Sequence, residues 1–140
     1  MATNDAPGVV DARQLSYQLV HYLRRNITYT QKGQTLSLGK VPKGAVLLKP
    51  LSGVTVHTVF NNGTTNTIDI GTSADADLYA TALAVSAIAF VPLDEAVSNY
   101  FAADTELFVT VGGTGTAAST GKATVVIAFV PNNDLGITDV

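Results

Sequence analysis

The chain has 140 residues, a net charge of -3 and no cysteine. That length suits one domain, and the missing thiols exclude disulfides and thiolate metal sites. Only 14% of residues are charged, against about 25% in an ordinary soluble domain; with Arg24-Arg25 as the longest basic run, phosphate neutralisation along a nucleic acid is not expected.

Residues 1–7, MATNDAPG without its glycine, are polar and carry no apolar run of the secretion-signal kind. Residues 1–17 read as an extended N-terminal arm. Residues 18–30 alternate and end in β-formers, which predicts a strand. Leu15, Leu19 and Leu23 sit at one-turn spacing, so a helix there is the alternative. Lys32-Gly33 marks a turn, residues 35–39 a short strand, and Val41-Pro42-Lys43-Gly44 another turn. Residues 45–51 predict a strand that Pro50 places at an edge or an end. Ser52-Gly53 reads as a turn. Residues 54–60 and 64–70 flank Asn61-Asn62-Gly63 and predict a tight hairpin.

GTSADAD, residues 71–77, is a loop. Residues 78–86 read as a short helix or an irregular crossing, and 87–91 as a buried strand stopped by Pro92. The apolar run over 78–92 is shorter than the roughly 20 residues of a membrane span. Tyr100-Phe101 is an aromatic anchor. In residues 105–130, Leu107, Val109 and Val111 share one face, as do Ala123, Val125, Ile127 and Phe129. The small-residue stretch GGTGTAASTG joins the two strands, which predicts a long antiparallel hairpin. The second strand is apolar on both faces, so it belongs inside a sheet with a neighbour or partner over its outer side. The whole predicts an all-β fold, an antiparallel β-sandwich of jelly-roll type with about eight strands over residues 18–131, and a polar tail at 132–140.

Chemistry-bearing patterns are sparse. The two histidines, His21 and His57, fall inside predicted strands and read as strand histidines at a polar face or interface. A triad of His57 with Asp94 or Glu95 would need a serine in a nucleophile elbow, and no serine has one. Asp69, Asp75 and Asp77 gather around one loop without the spacing of a calcium-binding hand; aspartates bonded to backbone amides are the simpler reading. The glycine-rich tip lacks the lysine and helix of a phosphate loop. No catalytic, cofactor or metal residue is assigned. The candidate partner contacts are Arg13, Leu15, Tyr17, Arg24 and Arg25, whose arginines suit acidic groups on another protein.

The run YQLVHYLRRNITYTQKGQTLSLGKVPKGAVLLKPLSGVTVHTVFNNGTTNTIDIGTSADADLYAT, followed by ELFVTVGGTGTAASTGKATVVIAFVP, resembles small structural proteins of tailed bacteriophages, the head decoration or cement proteins. The resemblance covers about residues 17–131. It implies a jelly-roll-like sandwich, usually trimeric, seated on the capsid outer surface where major capsid protein capsomers meet. It also implies synthesis in the host bacterial cytoplasm and action by binding, with no nucleic acid, membrane, cofactor or small-molecule substrate. The chain is longer than the small lambda-type decoration proteins and richer in strand signals. A tail, neck or baseplate component therefore stands as an alternative. So does a host-glycan adhesion module, although the chain has no Trp for a sugar to stack on.

Overall fold

The computed structural model describes residues 20–132. The arm with Arg13, Leu15 and Tyr17, and the tail beyond Asn132, lie outside the described residues. Nine strands follow in chain order: β1 (His21–Thr28), β2 (Thr35–Val41), β3 (Val46–Leu47), β4 (Gly53–Thr58), β5 (Thr65–Gly71), β6 (Ala80–Ala84), β7 (Phe90–Pro92), β8 (Thr105–Thr114) and β9 (Lys122–Val130). The first sheet has the order β1-β9-β4-β7, with β3 also on β9; the second has the order β2-β8-β5-β6. All pairs are antiparallel. The expected all-β antiparallel sandwich is therefore what the chain adopts.

The pairing is nested. β5 pairs with β6, β4 with β7, β2 with β8 and β1 with β9. The chain thus behaves as one long hairpin, folded over at residues 72–79 and wrapped into two layers. This is the strand order of a jelly roll. Only β5 and β6 are partners across a short connection.

Two expected hairpins are corrected by this topology. β8 lies in the second sheet and β9 in the first, so residues 105–130 form an arch between layers. The same holds for β4 and β5 around Asn61-Asn62-Gly63. The asparagines have another task. Asn61 Oδ1 accepts from the backbone N–H of Ser119 and Thr120, at 2.8 and 3.0 Å. Asn62 Oδ1 accepts from Ala118 N–H, and its own N–H donates to Asn66 Oδ1. Two arches at one end of the sandwich are thereby tied together, and the glycine-rich tip rests on its own chain. Phe60, buried in this tie, lies so close to Gly121 that a Cβ there would meet its ring at 2.6 Å. Gly121 also holds φ at 151°, where side chains are strained.

Other expectations shift. Residues 78–86 contain β6 instead of a helix, because β5 offers an edge that overrides the helix preference of alanine. Of residues 87–91 only Phe90 and Val91 lie in a strand, the edge strand β7, and Phe90 is turned outward, not buried. The strand expected over 45–51 is only Val46–Leu47, followed by a 3-10 turn at Lys49–Leu51 that Pro50 enters naturally. Ser52-Gly53 is not a turn. The 3-10 turn interrupts pairing along β9, and Ser52 repairs the gap: its Oγ accepts from Ala128 N–H at 2.9 Å and donates to Leu48 O at 2.8 Å. Ser52 is fully buried, so these bonds satisfy groups that water cannot reach.

The core lies between the layers. Ala123, Val125, Ile127 and Phe129 of β9 face Leu107, Val109 and Val111 of β8, with Ile68, Ile70, Val54 and Val56 beside them. The alternation read for β8 and β9 is the one observed.

Candidate binding face

The outer face of the first sheet is set out by register. Central β9 is paired along one edge by β1 and along the other by β4 and β3. Alternation turns Lys122, Thr124, Val126, Ala128 and Val130 away from the core. Across from them, β1 presents Thr28, Asn26, Arg24 and Tyr22 in that order. β3 sets Val46 beside Val130, and Tyr100 bridges to Val46.

This face has two unlike ends. At one end, exposed apolar groups gather: Val20, Tyr22 (64% exposed), Val46, Tyr100 (43%) and Val130 (42%). Phe90 and Ile88 add to the opposite edge, on and beside β7. All the exposed large apolar side chains among the described residues belong to this sheet or to segments joined to it. The second sheet offers a different outer face. There Thr35 and Thr110 bond hydroxyl to hydroxyl at 3.1 Å, Thr65 and Thr114 at 2.8 Å, and Ser37 Oγ donates to Glu106 at 2.6 Å.

At the other end of the first face is a shallow pocket of about 350 Å³, lined by Arg24, Asn26, Thr28, His57, Lys122 and Thr124 among others. His57 occupies a bulge in β4, where register slips between Val56 and Thr58. Its Nε2 lies 2.8 Å from Thr124 Oγ1, which in turn donates to Asn26 Oδ1 at 2.9 Å. The hydroxyl has one proton and gives it to Asn26, so the His57 Nε2–H donates to Thr124. Three strands are linked across the floor of the pocket. This does not activate a nucleophile: Thr124 sits mid-ladder on a strand paired on both edges, so its neighbouring backbone N–H groups are spent in the sheet. Asp94 and Glu95, which a triad with His57 would have needed, are elsewhere; Asp94 accepts from Thr81 N–H.

The structure separates the arginine pair. Arg24 lies on the outer face, in the pocket. Arg25 turns to the core side and donates to Ser37 O at 2.9 Å, closing the seam between β1 and β2. His21 likewise lies on that side, stacked at 6.0 Å on Phe129. His57 stands at a polar face, as the sequence reading had it, whereas that reading missed Lys122, Thr124 and the exposure of Tyr22. The outward parity of β9 carried the signal for Lys122.

The aspartates around residues 72–79 form an acidic region at the far end of the sandwich. Asp69 Oδ1 accepts from Ala82 N–H at 2.6 Å, one of the backbone bonds expected of these residues. A hydrogen bond with the Asp77 carboxyl, aided by some desolvation and by charge repulsion, holds the Asp75 carboxyl above its usual range. Among the described residues no group of three histidine, aspartate or glutamate side chains is placed to hold a metal ion, and no helix is long and apolar enough to cross a membrane.

The fold is similar to that of a chain in a solved structure described as the cyanophage Pam1 capsid asymmetric unit. The TM-score is 0.64 and the identity 20%, over 93% of this chain and 98% of that one. No family model and no curated protein matches the chain.

Proposed function

We propose that this protein is a structural component of a tailed-bacteriophage virion, a capsid decoration protein that binds the major capsid protein lattice and acts by binding instead of catalysis. The fold likeness to a cyanophage capsid chain, over nearly the full length of both chains, carries this reading. The face of the first sheet supports it. Apolar side chains standing in water on one sheet, and hydroxyl ladders on the other, suit a molecule covered on one side only. β1 begins at the apolar end, so the arm, with Arg13, Leu15 and Tyr17, joins the body where the lattice contact is proposed. A trimer would multiply weak contacts, since the second and third bind at high effective concentration once the first is made.

The test is occupancy on purified heads that lack the protein. The full chain should sediment with heads and appear on their surface by cryo-EM. Deleting residues 3–17 should leave the sandwich folded and lower occupancy at least tenfold. A full chain that ignores heads but binds tails would move it to the tail or neck, and one that binds neither would end the proposal.

A further inference from the structure

The strands of the first sheet carry Arg24, Arg25 and Lys122 and no carboxylate at all. Arg25 is engaged with Ser37, whereas Arg24 and Lys122 have no hydrogen-bond or ion-pair partner among the described residues. Both stand in the pocket at the end where β9 begins. The opposite charge gathers at the other end of the sandwich. Asp69, Asp75, Asp77, Asp94 and Glu95 converge at the fold-over of the chain, around residues 72–79. The ammonium of Lys49, the cation beside this region, is spent on the carbonyls of Glu95 and Val97 at 2.7 and 2.8 Å.

Register shows that the acids converging around residues 72–79 cannot reach this pocket within one molecule. β8 runs from Thr105, near Gly71, to Thr114, and the chain then crosses to Lys122. The acidic loop and the basic pocket therefore lie at opposite ends of the sandwich, on different sheets. Two unlike patches on one molecule, each complementary to the other, define a head-to-tail contact, and repetition of such a contact closes into a ring when the rotation allows.

We propose that the basic pocket receives the 72–79 loop of a second copy, with Asp75 and Asp77 against Arg24 and Lys122, so that copies associate head to tail in a closed ring. This assigns the two ends of the face to two occupants: a neighbouring copy at the pocket, the lattice at the apolar end. It rests on the preceding reading only in that division. The Asp75–Asp77 pair gains cations that no described residue gives it, and the pocket gains carboxylates that its Asn26, Thr28 and His57 can hydrogen-bond.

The test is the mass of the full chain by sedimentation and native mass spectrometry across salt concentrations. A closed oligomer is expected at low salt, with its dissociation constant rising at least tenfold by 0.5 M salt. Arg24→Glu with Lys122→Glu, or Asp75→Lys with Asp77→Lys, should each yield monomer, and the four changes in one chain should restore the oligomer. Circular dichroism shows whether each variant is folded, and the milder Lys122→Gln, expected to weaken association about tenfold, serves if the reversals do not fold. A monomer at all salts, or an oligomer indifferent to charge reversal, overturns the inference. Head occupancy is measured separately: a monomer that still decorates heads leaves the function standing, and a salt-sensitive oligomer that ignores heads leaves this contact standing.

Discussion

The two outer faces of the sandwich differ in what they leave unfinished. On the second sheet, hydroxyl meets hydroxyl along the rows Thr35–Thr110 and Thr65–Thr114, and Ser37 meets Glu106. Polar groups there are satisfied by neighbours or by water. On the first sheet, Tyr22, Val130 and Phe90 stand exposed, and Arg24 and Lys122 face no acid among the described residues. Both faces cover one shared core, so the difference is not one of stability. It teaches that the apolar side chains left in water are concentrated on one side of the sandwich.

The largest expected effect comes from breaking the first face. Tyr22→Asp combined with Val130→Asp should reduce head binding by thirtyfold or more, about 2 kcal/mol, as loss of a hot-spot cluster does. Thr35→Asp combined with Thr110→Asp, on the other face, should leave binding within about twofold. Equal losses from the two pairs, measured by co-sedimentation with heads, would erase the distinction drawn between them.

A smaller effect concerns how each sheet is held. Ser52→Ala leaves Ala128 N–H unsatisfied inside the protein and should cost about 1–3 kcal/mol in urea unfolding. Thr65→Ala on the second sheet gives up an exposed hydroxyl pair and should cost well under 1 kcal/mol. The first sheet is thus predicted to be sensitive at its break in pairing, and the second tolerant along its ladder.

The smallest effect is a titration. Asp75 takes its proton above the ordinary carboxyl value of 3.8 because Asp77 shares a hydrogen bond with it. A raised carboxyl favours folding fully below the unfolded value, and that contribution is lost as pH rises through the folded one. Asp77→Ala should return Asp75 toward 3.8, as read by carboxyl NMR titration at a concentration where the chain is monomeric.

Faces were readable from the sequence, and partners were not. Alternation in β8 and β9 is a local property of the backbone, so Leu107, Val109 and Val111 were placed together on one face, which is the one that lines the core. Which strand lies next to which is decided by residues far away. Nested pairing sets β9 against β1 and β4, and never against its own predecessor. Asn61-Asn62-Gly63 has the composition of a tight turn, yet its side chains are used to tie down residues 118–120. β6 was hidden because Ala-Thr-Ala-Leu-Ala has no strong strand preference. The link Asn26–Thr124–His57 joins three strands distant in sequence, and no spacing rule reaches it. Arg24 and Arg25 were named together as candidate contacts, and their separation onto two sides of the sheet follows only once β1 is known to be a strand.

The nested order also has a consequence in time. A ribosome releases the chain from its N-terminal side, and β9 is the last of the nine strands to emerge. The second sheet, β2-β8-β5-β6, can assemble once β8 is out. In the first, only the short β4–β7 pair can form without β9, because β1, β3 and β4 are joined through it. The surface proposed to meet other proteins is therefore the last part of the molecule to be completed, so half-made chains would not present it while they are still being translated.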